Sequence, residues 1–83
     1  MKVHIHVSLK PGVLDSQGRA IHHKLETLGF DGVNDVRAGK LIELDVDDSV
    51  TDDDLDAMCQ KLLANMVIEN YRIERQEPAK ENA

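Results

Sequence analysis

The sequence predicts an α+β fold, a two-layer sandwich in which two amphipathic helices cover one face of an antiparallel sheet. Three observations carry that prediction. The chain opens on a strict alternation, Val3, Ile5, Val7 and Leu9 against Lys2, His4, His6 and Ser8, which is the pattern of a strand with one buried face. Apolar residues then recur twice at helical spacing, first as Ile21, Leu25 and Leu28, later as Leu55, Met58, Cys59, Leu62, Leu63 and Met66. Alternating runs return between the helical segments and after them, and they supply the remaining strands.

The elements follow in order. Lys2 to Leu9 forms the first strand. Pro11-Gly12 breaks it, because proline lacks the ladder donor and glycine permits turn dihedrals. Asp15 is the N-cap of a helix that runs to about Leu28, its carboxylate accepting from the free amides of the first turn. Gly18 falls at the third helical position, where it costs ~1 kcal/mol relative to alanine, so close approach of another backbone is expected there. Gly29 suits the left-handed position that ends the helix. Val33 to Ala38 reads as a second strand, and the short turn Gly39-Lys40 leads into a third, Leu41 to Val46. Thr51 caps the second helix, and Asp52, Asp53 and Asp54 load its first turn to suit the helix dipole. Asn65 is expected to end that helix in the left-handed conformation, since no other residue there visits it readily. Val67 to Ile73 alternates as the last strand, with Val67, Tyr71 and Ile73 on one side. Residues 1–75 form one domain, followed by a polar tail, 76–83. The order β-α-β-β-α-β is that of a ferredoxin-like sandwich. Such a sheet leaves one face and two edges open, so self-association is expected.

Composition narrows the function. At 83 residues the chain sits near the lower limit for a self-sufficient core. The single cysteine, Cys59, rules out an internal disulfide and fits a reducing compartment. No apolar run approaches the ~20 residues of a membrane span, and a cytoplasmic location is expected. The net charge is −6, and eight of the 16 acids lie between Glu43 and Asp56 with no Lys or Arg among them. Such density repels phosphate backbones. With Phe30 and Tyr71 as the only aromatics, a base-stacking platform is also missing. Nucleic-acid binding is disfavoured on both counts.

Candidate chemistry is sparse. The Pro11–Gly18 corner offers helix amides to an anion, but Asp15 places a carboxylate where a phosphate would sit and no P-loop lysine pattern follows. His4 and His6 share one strand face at a spacing compatible with one metal, whereas His22 and His23 diverge by about 100° on a helix. No carboxylate or cysteine is placed by sequence to complete a tetrahedral site. Cys59 lies in an apolar stripe beside Asp56, which suits packing better than nucleophilic attack. Consecutive acids at 52–54 point in different directions and suit a solvated helix start better than a cation site. Ser16 has no base placed beside it. A small enzyme of acylphosphatase type would need a phosphate-cradling loop with an arginine, and Pro11 to Gly18 has none. Two readings remain from the residues: an interaction subunit, or a free-standing sensor of a metal or small ligand through the histidine face.

Three motifs decide between them. Leu-Lys-Pro-Gly-Val-Leu-Asp-x-Gln-Gly (Leu9 to Gly18), Val36-Arg37-x-Gly39-Lys40, and Leu-Leu-Ala-Asn-x-Val-Ile-Glu-x-Tyr (Leu62 to Tyr71) occur in order. Over residues 2 to 75 the chain closely resembles the PurS family, the small subunit of phosphoribosylformylglycinamidine synthase. The family usually carries proline at the positions of Ser16 and Met66. The resemblance implies a non-catalytic assembly subunit in purine biosynthesis. In that complex formylglycinamide ribonucleotide, ATP and glutamine become the amidine, ADP, phosphate and glutamate. A glutaminase subunit (PurQ-type) releases ammonia, and a synthetase subunit (PurL-type) activates the amide with ATP. The small subunit, a homodimer or homotetramer, bridges the two and helps shelter the ammonia. The resemblance implies no cofactor on this chain; ATP, Mg and glutamine belong to the partners. Docking residues are expected at the corner (Pro11, Gly12, Asp15, Gln17, Gly18) and at the second junction (Asn65, Glu69, Tyr71).

Overall fold

The computed structural model describes residues 1–76, so the tail expected over 76–83 lies outside the described residues except for Gln76. The architecture is α+β. Three antiparallel strands, β1 (Lys2–Leu9), β2 (Gly39–Asp45) and β3 (Glu69–Arg75), form a sheet in the order β2-β1-β3. Helix α1 (Ser16–Thr27) follows β1, and α2 (Asp52–Met58) follows β2. The central strand is the one with the cleanest alternation. Ile5 stands opposite Ile42 on one side and Ile73 on the other. Val3, Ile5 and Val7 are buried against Leu55, Cys59 and Ala64, and Ile42, Leu44, Leu63, Tyr71 and Ile73 pack around them. At roughly 25 cal/mol per Å² of apolar surface removed from water, these contacts are the main stabilising term of the domain.

The ladder bonds alternate. Val46 N–H donates to the Met1 carbonyl at 2.9 Å, while Gln76 N–H donates to Lys2 at 2.9 Å and Lys10 N–H to Ile68 at 2.8 Å. Odd residues of β1 therefore bond β2, and even residues bond β3.

The sheet has three strands where the sequence suggested four. Val33–Ala38 is not a strand among the described residues. No fold-back precedes β2, because Gly39 already belongs to its ladder opposite Ser8. The segment takes its partners from α1 instead: the Val33 carbonyl accepts from His22 Nε2 at 2.8 Å, and the Ala38 N–H donates to Asp15 Oδ2 at 2.7 Å. This also explains Gly18. A Cβ there would stand 2.5 Å from the Val36 carbonyl oxygen, so the close approach comes from within the protomer. Asp15 caps α1 as expected, and Gly29 has φ +96° beyond its end.

The second helix departs further. Thr51 and Asp54 form a reciprocal capping box, with Asp54 N–H to Thr51 Oγ1 at 3.1 Å and Thr51 N–H to Asp54 Oδ2 at 3.0 Å. After Met58, however, Cys59–Leu63 is a π-helical turn, closed by Ala64 N–H donating to Cys59 at 2.9 Å. The wider turn rotates the apolar stripe. Cys59 and Ala64 go inward, whereas Leu62 keeps 81 % of its exposure and Met58 and Met66 are also exposed. Among the described residues none other than glycine has positive φ, so Asn65 does not end the helix in the left-handed conformation. Ala64 leaves it extended, and Asn65 builds a turn: Oδ1 accepts from Val67 N–H at 3.0 Å, and the carbonyl accepts from Ile68 and Glu69. That turn consumes Val67 and Ile68, so the last strand starts at Glu69 and Val67 is exposed.

Candidate functional site

The two junctions singled out by the sequence meet in space. Lys10, one residue before Pro11, bonds Ile68, one residue before Glu69. Beside this contact opens a cleft of about 310 Å³ whose lining includes Ser8, Leu14, Asp15, Gln17, Lys40 and Glu69. Its walls are fixed by the corner. Pro11 and Gly12 carry the chain around, with Gly12 at φ +88°. Asp15, only 5 % exposed, then ties three segments together. Its Oδ1 accepts from Gly18 N–H at 2.8 Å and its Oδ2 from Ala38 N–H. These backbone donors, that of Ala38 first, hold the Asp15 carboxyl below the usual carboxylate range, with help from the Arg37 guanidinium. Arg37 itself donates to the Leu9 carbonyl at 3.2 Å, locking the end of β1.

Of the expected docking residues, Asp15, Gln17 and Glu69 line the cleft. Pro11 and Gly12 are exposed beside it, and Gly18 is buried in the first turn of α1. Glu69 accepts from Asn65 N–H at 2.7 Å, which braces the second junction. Tyr71 turns away to the helix side, where its hydroxyl donates to Asp56 and Gln60 Nε2 donates to both. The Asp56 carboxylate pushes the Tyr71 phenol up. Sequence reading missed Ser8, Ala38 and Lys40 as cleft residues and Arg37 as its brace; for the last three the signal was the motif Val36-Arg37-x-Gly39-Lys40.

The other candidates resolve into packing and surface pairs. Burial, and then the Asp56 charge, push the Cys59 thiol up, away from nucleophilic character. His4 Nε2 faces Glu43 at 3.0 Å and His6 Nε2 faces Glu74 at 2.8 Å on the open sheet face. The His6 contact is the main reason the Glu74 carboxyl lies below its ordinary value. Among the described residues, no group of three or more His, Cys, Asp or Glu side chains is placed to hold a metal ion. No helix of the described residues is long and apolar enough to cross a membrane.

Comparison with known proteins meets this geometry. Residues 2–77 match the family model PurS, phosphoribosylformylglycinamidine (FGAM) synthase. The PurS subunit of Bacillus subtilis is 51 % identical over 80 residues, covering 92 % of this chain and 93 % of that protein. Methanocaldococcus jannaschii PurS, one of the subunits of formylglycinamide ribonucleotide amidotransferase in the purine biosynthetic pathway, superposes with a TM-score of 0.83. It is 35 % identical, and the match covers 93 % of this chain and 96 % of that one. A chain of the Thermotoga maritima PurLQS structure aligns at a TM-score of 0.77 and 27 % identity, over 90 % of this chain and 95 % of that one. With the family model matched over residues 2–77 and a relative 51 % identical along nearly its whole length, this chain belongs to the PurS family of phosphoribosylformylglycinamidine synthase subunits.

Proposed function

We propose that this chain is the non-catalytic assembly subunit of a glutamine-dependent phosphoribosylformylglycinamidine synthase, bridging a PurL-type synthetase and a PurQ-type glutaminase and supporting ammonia transfer between them. The observation that carries this reading is the family match over residues 2–77, together with the similarity to a chain of PurLQS from Thermotoga maritima. The fold supports it. The most sharply held group outside the core, Asp15, has both oxygens committed to backbone amides, so the corner shapes a surface rather than doing acid–base work. ATP, Mg and glutamine are handled by the partner subunits, in the cytoplasm. The chain acts as a homodimer or homotetramer, and the cleft joining the corner to Glu69 is a docking surface for one of the two partner subunits. Reconstitution tests this: glutamine-dependent amidine synthesis by the synthetase and glutaminase subunits is expected to fall at least about tenfold when this chain is omitted. Unchanged synthesis without it rejects the reading.

A further inference from the structure

Helix α1 and the segment that returns from it, residues 33–38, are tied to each other at three levels. Asp15 Oδ2 accepts from the Ala38 N–H at 2.7 Å, and His22 Nε2 meets the Val33 carbonyl at 2.8 Å. Between them Gly18 lies so close to Val36 that a Cβ would stand 2.5 Å from its carbonyl oxygen. As the helix advances from 15 to 22 its partners fall from 38 to 33, so the two segments run antiparallel and form one body.

Little joins that body to the sheet. Residues 11–38 contribute nothing to the apolar core, and the two of them that are buried, Asp15 and Gly18, are held within the body itself. The burial that fixes α2 to the sheet is therefore missing across this boundary. Among the described residues one side-chain hydrogen bond crosses it, from Arg37 Nη2 to the Leu9 carbonyl at 3.2 Å. The two covalent crossings lie side by side. The chain leaves the sheet after Lys10, whose N–H still bonds Ile68, and turns through Gly12 at φ +88°. It returns at Gly39, which stands opposite Ser8 in the ladder. Hinges place their dihedral changes on a few residues at element ends, and two adjacent crossings leave one axis of rotation free.

We propose that residues 11–38 are a rigid arm that swings on the sheet about the line through Gly12 and the Ala38–Gly39 bond, with the Arg37–Leu9 contact as its latch. The cleft lies in the angle of this hinge. Leu14 and Gln17 line it from the arm, and Lys40 and Glu69 line it from the sheet, so the arm's angle sets its width. Where the cleft serves as a docking surface, which rests on the function proposed above, the swing fits it to its occupant. The swing itself follows from this chain alone.

Double electron–electron resonance on the full chain tests the arm. Spin labels go on cysteine pairs at exposed positions in a C59A background, and labelled chain is diluted into unlabelled chain so that distances within one copy are read. K24C/D35C spans the arm, and K24C/E43C runs from arm to sheet. The arm-to-sheet distribution should be at least about twice as wide as the one inside the arm. R37A should widen the first and leave the second unchanged, whereas D15A, which cuts the tie between α1 and Ala38, should widen the second. Circular dichroism on each variant checks that the chain is folded. Equal widths in the parent, whether both narrow or both broad, overturn the arm. An arm-to-sheet width indifferent to R37A overturns the latch. All distances are read without partner subunits, so either failure leaves the docking reading to its own reconstitution test.

Discussion

Leu55 and Ile21 occupy the same kind of place, an apolar residue on the stripe of an amphipathic helix. Leu55 has lost all of its exposure, while Ile21 keeps 41 %. The contrast extends to whole elements. α2 and the π turn after it supply Leu55 and Cys59 to the core, whereas α1 buries only Gly18. Leu14, Ile21, Leu28 and Phe30 around α1 all stay exposed. What α1 has instead is polar and local: Asp15 bound to two amides, and His22 bound to the Val33 carbonyl. An apolar stripe therefore states that a helix is to be covered, without stating by what. α2 is stabilised by burial against its own sheet, and α1 is attached to the protomer through hydrogen bonds at its first turns.

The largest expected effect follows directly. Leu55→Ala should cost about 2–5 kcal/mol of stability, through lost transfer energy and the cavity left behind. Ile21→Ala should change the dilute, unassembled chain by no more than about 0.5 kcal/mol. Urea denaturation of both variants measures the contrast. Similar midpoints would show that α1 shares the core after all and would erase the distinction.

How much of this was legible in the sequence follows from the same division. β1 and the caps at Asp15 and Thr51 are local, written in adjacent residues, and they stand where the alternation and the cap chemistry put them. The crowding at Gly18 was legible as a need, because a glycine inside a helix has a cost that something must offset. The provider, the Val36 carbonyl, was not, because it depends on the return path of Val33–Ala38. That path was misread as a strand, since a short run holding Val33, Val36 and Ala38 cannot tell a ladder from a segment held by side chains. The π turn was invisible for a related reason. Leu62 and Leu63 are both acceptable core residues, and only the fit to β1 selects which one faces in.

A smaller effect probes the polar attachment of α1. In Asp15→Asn one oxygen is replaced by an NH₂ group, so only one of the Gly18 and Ala38 amides keeps its acceptor. The variant should melt below the parent at pH 7. The carboxyl of Asp15 is depressed in the folded chain by those two amides. A depressed value contributes stability that is fully present above the unfolded value, 3.8, and is lost as pH falls through the lower folded one. The gap between parent and variant should therefore be widest near neutrality and narrow below pH 3.8. Melting curves across that range check it, and a gap independent of pH would mean that the charge of Asp15 does not hold the corner.

The smallest effect concerns Ser16, the first residue of α1, a helix position that suits proline. Its N–H has no acceptor among the described residues, as expected at a helix start. Asp15 before it has φ −101° and ψ 86°, outside the helical region that a following proline disfavours. Ser16→Pro thus removes no bond and restricts the unfolded chain, and it should stabilise by about 0.4–1 kcal/mol. Where that gain appears is the sharper question. If α1 is attached locally and adds nothing to the core, it can open without the sheet, and the substitution should slow amide exchange in α1 more than it raises the global urea midpoint. A midpoint that rises by the full amount with α1 exchange unchanged would instead couple α1 to the sheet, and the two helices would then differ in burial but not in cooperativity.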